Sequence, residues 1–566
     1  MKRIFLLLIT ALLAFKGYTQ TDLFTNLSQF GIGSSQADAS QEVSYDSESN
    51  IIVFGSYSEE MDFDPTDEAT QMNPLGTPDL FLAKYDQDGS LHWLVSLGRL
   101  SLNNGMDASG LSIGSNDDVL ISGSFSSTIN FNPLGDPVVK TSSGGKDAFL
   151  AKYNASGELL WVNTYGSLFF EFGSKITIDS EGNLFYGIRY NGNVDVDPGE
   201  GEVILDPQAG ATDAAVVKYD TDGNYIWHFE ISTENSDNIT ALATSNNGQL
   251  AIGATINGTV SGVPSSDMKI FILENDGSLS FENNFNNFDV SNAISSLVFS
   301  EEDNSLYVSG RIQGDTDFDP SETEELVIEP LFADAFFAKY NLQDFSLIWA
   351  KHIQGTGIED FATGTIISGG ALMAVGSFES TVSFVPGDFG TQMTSAGSVD
   401  IYMAAYDKIT GEFIDAQIFG GAGRELATAA FFNPSGNVVV TGDFTNSLAL
   451  SPFVNPISAN GMTDVFFGEF SFQTNVSDGI NSNFSKSDVL IYPVPAGEQL
   501  SLELVGAESG NLEIRIFSIV GSCVGQYNFT NFSGIKKIDI GDLNRGVYIL
   551  DLNLNGERVA KRFVKN

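Results

Sequence analysis

Short runs of apolar residues, separated by turn residues, dominate the chain. In one stretch the runs with strand character are residues 110–114, 119–125, 148–153 and 159–165. Apolar and polar residues alternate clearly in the second and fourth runs, which is the period of a strand with one buried face. Turn residues connect the first run to the second at 115–118 and the third run to the fourth at 154–157. The pattern predicts four antiparallel strands with no helix between them.

This four-strand pattern returns seven times between residues 41 and 474. A glycine, a proline and an aspartate recur in every copy, with a period of roughly 65 residues. The glycines are Gly55, Gly123, Gly187, Gly253, Gly310, Gly376 and Gly442; the prolines are Pro65, Pro133, Pro198, Pro264, Pro320, Pro386 and Pro452; the aspartates are Asp79, Asp147, Asp213, Asp267, Asp334, Asp400 and Asp464. Four-stranded units repeated without helices imply radial repetition around an axis. The sequence therefore predicts an all-β fold containing a seven-bladed β-propeller.

The two ends of the repeat region complement each other. The seventh copy stops after its third strand, residues 465–470, and lacks a fourth. A strand of the missing type lies at the other end of the chain, residues 24–31, where Phe30-Gly31 matches the close of other fourth strands at Tyr165-Gly166 and Phe419-Gly420. Pairing this strand with the seventh copy would close the ring and cover an exposed strand edge.

Each recurring residue has a structural explanation. The glycines end the second strand, where a missing Cβ allows close approach near the axis, and the prolines end strand pairing because they have no N–H to donate. The aspartates are expected to accept backbone N–H bonds in the turn before the third strand. Aromatic side chains in equivalent fourth strands are expected to pack between blades rather than to form a sugar platform. They are Trp93, Trp161, Trp227, Phe281 and Trp349.

A short acidic motif before three of the prolines is the best candidate for a metal site. Its carboxylates are Asp62 and Asp64, Asp195 and Asp197, and Asp317 and Asp319, and Asn130 and Asn132 take their place in the second copy. Because strand side chains alternate, the two oxygen-bearing residues face one side and the apolar residue between them faces the other. Calcium prefers such oxygen ligands. The six aspartates are candidate calcium ligands, and turn formation is the alternative.

Catalytic chemistry has little support in the sequence. The three histidines, His92, His228 and His352, fall in different repeats, so a histidine metal cluster or a Ser-His-Asp arrangement is not expected. The chain is therefore predicted not to be an enzyme. Paired carboxylates for cleavage of a polysaccharide stay open as an alternative, because 73 acidic residues offer many pairs.

Charge and targeting signals narrow the partners. Residues 20–485 contain 64 acidic and 14 basic residues, whereas residues 486–566 contain nine of each. A surface with this much negative charge repels nucleic acid and anionic membranes, so neither is an expected partner. Residues 1–19 begin with Lys2 and Arg3, continue with the apolar run 4–15 and end with small residues at Gly17 and Thr19, as in a cleaved secretory signal. No later run is long enough to span a membrane. The one cysteine, Cys523, cannot form an intramolecular disulfide.

Two parts of the chain resemble known families. The motifs at residues 179–183, 438–442, 147–152 and 161–166 resemble the β-propeller repeat of many bacterial surface and secreted proteins. The segment from residue 489 resembles the type A sorting domain of the type IX secretion system of Bacteroidetes, through residues 491–496, 514–521, 543, 546–548 and 561–565. Val494 replaces the asparagine usual between its two prolines, and Ser522 and Cys523 displace the arginine usual after Gly521. The second resemblance implies passage across the outer membrane, removal of the tail, and release or attachment at the cell surface.

The sequence thus predicts four parts. They are a signal peptide (1–19), a seven-bladed β-propeller (20–474), a polar linker (475–487) and a small Ig-like β-sandwich sorting domain (488–566) that engages the type IX secretion machinery. The leading interpretation is a secreted or cell-surface module that binds a glycan or protein on its propeller. Two alternatives stay open: a propeller hydrolase or lyase acting on polysaccharide, and a structural or adhesive surface component.

Overall fold

Strands and turns make up the part of the chain that the structure describes. The computed structural model describes residues 24–565, apart from 67–69, 99–104, 209–210, 261–262, 286–291, 322–324, 359, 369, 452–454, 473–488, 493–497, 505–509, 519–522, 533–534, 542, 544 and 555–556. The described residues contain no α-helix and one 3-10 turn, Phe389–Thr391. Two compact units divide at Thr474 and Asn475. The predicted signal peptide and linker lie outside the described residues.

The larger unit begins with a strand that belongs to its last sheet, β1 (Phe24–Ile32). The first three repeats each have four long strands, with a small two-stranded hairpin between the second and third. The first contains β2 (Ala39–Tyr45), β3 (Ile51–Tyr57), the hairpin β4 (Met61–Asp62) and β5 (Gln71–Met72), β6 (Asp79–Tyr85) and β7 (Leu91–Leu97). The second contains β8 (Asp107–Ile113), β9 (Val119–Phe125), the hairpin β10 (Thr128–Asn130) and β11 (Val139–Thr141), β12 (Asp147–Tyr153) and β13 (Leu159–Tyr165). The third contains β14 (Phe172–Ile178), β15 (Leu184–Tyr190), the hairpin β16 (Val194–Asp195) and β17 (Ile204–Leu205), β18 (Asp213–Tyr219) and β19 (Tyr225–Ile231).

The later repeats vary this plan. The fourth has β20 (Ser236–Thr244), β21 (Leu250–Val260), β22 (Val263–Leu273) and β23 (Leu279–Asn284). The fifth has β24 (Ala293–Ser300), β25 (Ser305–Ile312), the hairpin β26 (Thr316–Asp317) and β27 (Val327–Ile328), β28 (Asp334–Asn341) and β29 (Leu347–Gly355). The sixth has β30 (Phe361–Ser368), β31 (Ala371–Ser383), β32 (Gln392–Asp407) and β33 (Phe413–Phe419). The last has β34 (Glu425–Phe432), β35 (Val438–Phe444), the hairpin β36 (Ser447–Leu448) and β37 (Ile457–Ser458), and β38 (Asp464–Phe472).

The first strands of the repeats meet in a closed cycle. Strand β2 contacts β8, and the contacts continue in turn through β14, β20, β24, β30 and β34 back to β2. Within each repeat the long strands pair antiparallel in chain order, for example β2-β3-β6-β7. Sheets arranged radially with their first strands around one axis form a β-propeller. The apolar side chains between neighbouring sheets form its cores.

The predicted closure by the N-terminal strand is confirmed. Strand β1 pairs antiparallel with β38, so the last sheet has the order β1-β38-β35-β34. The predicted match of Phe30-Gly31 to the end of other fourth strands is wrong by two residues. Ile32 pairs with Val465, as Tyr165 pairs with Ala148, so Ile32-Gly33 is the equivalent pair. A shift of two residues keeps every side chain on its face of the sheet, so alternation alone could not fix the register.

The fourth-strand tryptophans pack between neighbouring sheets, as predicted. A Cβ added to Gly157, in a turn of the second repeat, would lie 2.9 Å from the ring of Trp93 in the first. Trp93 Nε1 also donates a hydrogen bond to the carbonyl of Ala155 in the same turn, at 3.0 Å. The same ring-on-glycine contact joins Trp161 to Gly223, Trp227 to Gly277 and Trp349 to Gly411. These glycines have positive φ, so a side chain there would also strain the backbone.

The smaller unit contains two antiparallel sheets around one core. One sheet has the order β39-β40-β43 and the other β42-β41-β44-β45. The strands are β39 (Val489–Tyr492), β40 (Gln499–Leu504), β41 (Gly510–Ser518), β42 (Cys523–Phe532), β43 (Ile535–Asp539), β44 (Gly546–Leu554) and β45 (Glu557–Lys565). Leu500 and Ile538 from the first sheet and Ile514 and Leu550 from the second lie in the same buried cluster.

Candidate functional site

The candidate calcium ligands close the loops of the small hairpins. Oδ1 of Asp62 accepts the backbone N–H groups of Asp64 at 3.1 Å and Thr70 at 2.9 Å. The equivalent carboxylates do the same: Asp195 accepts from Asp197 and Val203, and Asp317 accepts from Asp319 and Leu326. A single carboxylate oxygen of Asp62, Asp195 or Asp317 therefore accepts hydrogen bonds from residues at both ends of its loop.

The second carboxylate of each pair caps the following turn. Asp64 accepts from Thr66 N at 2.9 Å, Asp197 from Gly199 N at 2.8 Å and Asp319 from Ser321 N at 2.8 Å. Among the described residues, no group of three or more His, Cys, Asp or Glu side chains is close enough to hold a metal ion. In each loop the second oxygen of both carboxylates accepts no backbone hydrogen bond from the described residues, so it could serve a cation. Calcium binding there stays a prediction.

The apolar residue between the two carboxylates faces the other way, as alternation predicts. Val196 and Phe318 are fully buried. A buried tyrosine at the end of the third strand donates its hydroxyl to their backbone carbonyls, Tyr219 to Val196 at 2.9 Å and Tyr340 to Phe318 at 2.9 Å. These hydrogen bonds attach each loop to the third strand of its own repeat.

Five of the seven recurring aspartates accept backbone N–H bonds from the turn before the third strand, as predicted, whereas Asp334 accepts from Gly355 at the end of the fourth strand. Leu75 N donates to Asp79 at 2.5 Å, Ala396 N to Asp400 at 2.8 Å and Asn460 N to Asp464 at 2.6 Å. These carboxylates are almost completely buried. The glycine that ends the fourth strand makes room for them, because a Cβ on Gly98 would lie 2.5 Å from Oδ2 of Asp79.

A second set of buried acids, which the sequence reasoning missed, lies beside the first strands. These acids are Asp38, Glu171, Asp237, Asp360 and Glu425. Most accept the backbone N–H group four residues earlier, as in Ser167 N to Glu171 at 2.7 Å and Thr233 N to Asp237 at 2.8 Å. An acid in this place recurs in five repeats, and that recurrence was the signal available in the sequence.

Each acid of this second set shares a junction with an aspartate of the preceding repeat. Burial raises the pKa of Glu425 to about 7, and the charge of Asp400 adds to the rise. Burial likewise raises the pKa of Asp360 to about 7 and that of Asp237 to about 6, with smaller contributions from the charges of Asp334 and Asp213. At these junctions, burial and a neighbouring carboxylate together disfavour ionisation of Glu425, Asp360 and Asp237.

Backbone hydrogen bonds join neighbouring sheets at the same junctions. Glu171 N donates to Lys146 O at 2.8 Å, Asp237 N to Thr212 O at 2.7 Å and Asp38 N to Thr463 O at 2.9 Å. The segments entering the first and third strands run parallel at isolated bridges such as Lys146 with Phe170. First and third strands run in the same direction, so all these junctions lie at one end of the propeller.

Large apolar side chains are exposed at this end, and together they define what we term the apolar face. Leu168 is 81% exposed. The other members are Leu75, Phe169, Phe170, Leu331, Phe332, Ile358 and Met462. Turns at the opposite end are mostly polar, as in residues 179–183 and 220–224, where an aspartate accepts the N–H and side-chain amide of the closing asparagine. The opposite end exposes Ile409 in a turn and Leu160, Ile226, Leu279 and Ile348 at the starts of fourth strands. The clusters of adjacent apolar side chains, such as Leu168 to Phe170, lie on the apolar face.

The histidines are not brought together. His92 lies 3.9 Å from Asp86, His228 accepts or donates a 2.8 Å hydrogen bond with Tyr225, and Nδ1 of His352 lies 2.6 Å from Asp334. These three contacts are in the first, third and fifth repeats.

Around the axis, the first strands of the repeats surround a small cavity of about 180 Å³ that contains the ion pair of Lys175 with Glu42.

Comparisons with known proteins identify the tail. Residues 490–566 match the secretion system C-terminal sorting domain. An uncharacterized WD repeat-containing protein of Acanthamoeba polyphaga mimivirus is 25% identical over 187 residues, 29% of this chain and 13% of that protein. The regulatory protein FlaEY of Caulobacter vibrioides is 28% identical over 187 residues, 32% of this chain and 19% of that protein. The chain thus matches less than a fifth of the length of either relative.

Two solved structures are similar over most of the chain. A protein of unknown function from Dyadobacter fermentans is 10% identical, with a TM-score of 0.38 over 80% of this chain and 100% of that one. The β-propeller domain of the trilobed protease from Pyrococcus furiosus is 8% identical, with a TM-score of 0.37 over 79% of this chain and 99% of that one. No described helix is long and apolar enough to cross a membrane. The strand cycle and the family match together make the chain a bacterial β-propeller protein with a type IX secretion sorting domain at its C-terminal end, exported to the cell surface or beyond it.

Proposed function

We propose that the propeller is a binding module and that its partner docks on the apolar face. The observation that carries this proposal is the clustering of adjacent exposed aliphatic and aromatic side chains, such as Leu168 to Phe170 and Leu331 with Phe332, in the turns of the apolar face. Patches of this kind mark interaction sites on soluble proteins. Apolar tips suit a protein surface better than a glycan, because sugar recognition needs a denser set of hydrogen-bonding groups.

The fold completes the proposal in two respects. We infer that the seven sequence repeats form seven blades, supported by the cycle of first strands from β2 to β34. Strand β29 pairs with β31 at Gln354 and Gly355, which joins the fifth and sixth blades into one continuous sheet. We also infer that the tail is an Ig-like sandwich, supported by its two sheets and shared core.

The proposal assigns the propeller no catalytic step. The junction carboxyl pairs are buried beneath the loops, where a polysaccharide would not reach them. The histidines of the described residues each have a separate local partner. This arrangement favours the binding role over the alternative of a hydrolase or lyase.

The C-terminal sorting domain would determine where the propeller meets its partner. We propose that residues 488–566 engage the type IX secretion machinery and are the determinant of export, in keeping with the match of residues 490–566. The propeller is then the cargo, and the apolar face is presented outside the cell. Calcium at the acidic loops would stiffen the rim of the propeller.

The test compares two polar variants at opposite ends. A face variant carries Leu168→Ser, Phe170→Ser and Phe332→Ser, and its control carries Ile409→Ser, which replaces an exposed apolar side chain at the other end. Proximity labelling on intact cells, together with glycan and polysaccharide arrays, measures which surface molecules each variant meets. We expect the face variant to lose the labelled partner and the control to keep it. Equal labelling by both variants would refute the assignment of the face.

A further inference from the structure

A second cavity lies at the rim of the propeller, between the fifth and sixth repeats. Its volume is about 500 Å³, and we term it the rim cavity. The fifth repeat contributes Ile328 and the strand segment 350–352, and the sixth contributes residues 384–386 and the turn 411–413. Small-molecule sites fall in this volume range and combine apolar walls with a few polar groups.

The sixth repeat departs from the others where the cavity forms. Ser383-Phe384-Val385-Pro386 stands where the first, third and fifth repeats carry the acidic motif. The second and third strands, β31 and β32, run on into the loop region, with Thr381 paired to Thr394. The end of β31 also pairs with β29 of the fifth repeat. The departure therefore replaces an acidic loop with an apolar wall and fixes that wall to the neighbouring sheet.

Aromatic rings form one wall of the cavity. Phe384 and Tyr406 are almost completely buried, whereas Phe413 is partly exposed. The rings of Phe384 and Phe413 are nearly parallel, with centroids 5.9 Å apart, and Tyr406 meets Phe413 edge-on at 5.6 Å. The Tyr406 hydroxyl donates to the Phe384 carbonyl at 3.1 Å, so it offers the cavity no free donor. The two buried rings therefore hold Phe413 in place, and the Phe413 ring is the surface suited to a flat apolar group.

The charges lining the cavity are of both signs and are left without ionic partners. The Lys351 ammonium group makes no hydrogen bond or ion pair with any residue that the structure describes. The lysines of the third strands are ion-paired instead, as in Lys84 with Asp46 and Lys339 with Asp303. The Glu412 carboxylate, which also lines the cavity, likewise has no partner among the described side chains. Asp388 accepts only the N–H group of Gly390.

His352 adds a polar group in a fixed orientation. Its Nδ1 lies 2.6 Å from Oδ2 of the buried Asp334, and Oδ1 of Asp334 accepts the N–H group of Gly355 at 2.9 Å. Asp334 therefore fixes the orientation of the His352 imidazole ring, and Nε2 of His352 has no partner among the described residues. A buried carboxylate that orients an imidazole in this way leaves the second nitrogen for a ligand.

We propose that the rim cavity binds a free aromatic α-amino acid or a dipeptide with an aromatic residue. The aromatic wall takes the ring, Lys351 takes the carboxylate, and Glu412 and Asp388 take the ammonium group. A zwitterion matches this set of charges, whereas the strong negative charge of the whole chain opposes a simple anion. This inference concerns a different surface from the apolar face, so each can fail without the other.

The test titrates the full-length protein with L-tryptophan by calorimetry, up to about 10 mM ligand, where even weak binding is measurable. Tryptamine lacks the carboxylate and indole-3-propionate lacks the amine, so each loses one charge contact. We expect both to bind roughly ten-fold more weakly than L-tryptophan, because each lost contact is a charge-assisted hydrogen bond. Tryptamine that binds as well as tryptophan, or no binding of tryptophan at all, would overturn the proposal.

Three variants locate the site. Lys351→Met keeps the aliphatic stem and removes the charge, Glu412→Gln removes the opposite charge, and Ala350→Phe fills the cavity. Lys140→Met, on the small hairpin of the second repeat, is the matched control. Lys351→Met should remove the preference for tryptophan over tryptamine, and the control should keep it. Thermal unfolding confirms that each variant is folded. Unchanged selectivity in both Lys351→Met and Glu412→Gln would place the ligand elsewhere and refute the site.

Discussion

Changing one buried carboxyl group should change how the stability of the propeller depends on pH. Asp360 is almost completely buried, its Oδ1 accepts the Glu379 N–H group at 2.7 Å, and its Oδ2 has no hydrogen-bond partner. Burial raises the pKa of Asp360 to about 7, and the charges of Asp334 and Glu379 add to the rise. Because the folded protein holds this proton more tightly than the unfolded chain, the resulting stability is present in full at acid pH and is lost as the pH rises through about 7.

The magnitude follows from the two pKa values. With a pKa near 4 in the unfolded chain and about 7 in the folded protein, lowering the pH from about 7.5 to about 5.5 stabilises the fold by about 2 kcal/mol through this group alone. Glu425, whose pKa burial also raises to about 7, contributes in the same direction. At lower pH the trend reverses, because hydrogen bonds and ion pairs with Lys84 and Lys339 lower the pKa values of Asp46 and Asp303.

Urea unfolding at pH 5.5 and at 7.5 measures the effect in the wild type and in Asp360→Asn. Asparagine keeps the acceptor for Glu379 N and places an amide at the unpaired position, so it imitates the protonated acid. We expect the variant to lose about 2 kcal/mol of the pH dependence and to be relatively more stable at pH 7.5. Asp276→Asn, in an exposed turn, is the control and should leave the difference between the two pH values unchanged. An identical pH dependence in wild type and Asp360→Asn would refute the reasoning.

Three further predictions concern closure, export and metal binding. Deleting residues 21–31 should expose the edge of β38 and cause aggregation or a large fall in Tm in light scattering and calorimetry; a monomeric variant that melts like the parent would contradict this. Removing residues 489–566 should trap the protein in the periplasm, and grafting residues 475–566 onto a signal-bearing reporter should export it, as cell fractionation would show; normal appearance of the truncated protein in the medium would exclude the sorting role. Calcium at sub-millimolar to millimolar concentration should raise Tm more than sodium at matched ionic strength, and Asp→Asn changes at Asp62, Asp64, Asp195, Asp197, Asp317 and Asp319 should remove the difference; equal shifts would indicate charge screening only.

The sequence was sufficient for features that repeat. Glycine, proline, aspartate and tryptophan at fixed places predicted the four-strand unit, the acceptor role of residues such as Asp79, and the packing of Trp93 between sheets. Closure by β1 followed from the missing strand of the last repeat. Each of these rests on a local pattern that many copies reinforce, so an error in one copy does not change the result.

Features that depend on distance between repeats were not predictable. The acids beside the first strands, such as Glu425, recur in five repeats, but their pairing with partners such as Asp400 of the preceding repeat appears only in the folded structure. The rim cavity depends on the extra length of β31 and on its pairing with β29, which no single repeat encodes. The register of β1 was missed because a shift of two residues changes no side-chain face.

The pairing of β1 with β38 also sets the order of events in folding. Asn26 and the Glu469 carbonyl that it contacts are 443 residues apart in the chain. Bringing such distant ends together costs about 5 kcal/mol of loop-closure entropy, which must be met before the last sheet gains its fourth strand. A chain that leaves the ribosome or crosses a membrane N-terminus first must hold β1 unpaired until the final repeat has arrived. Only a complete chain can therefore close its ring. A chain truncated before β38 leaves β1 unpaired, and the unpaired β1 is open to proteases.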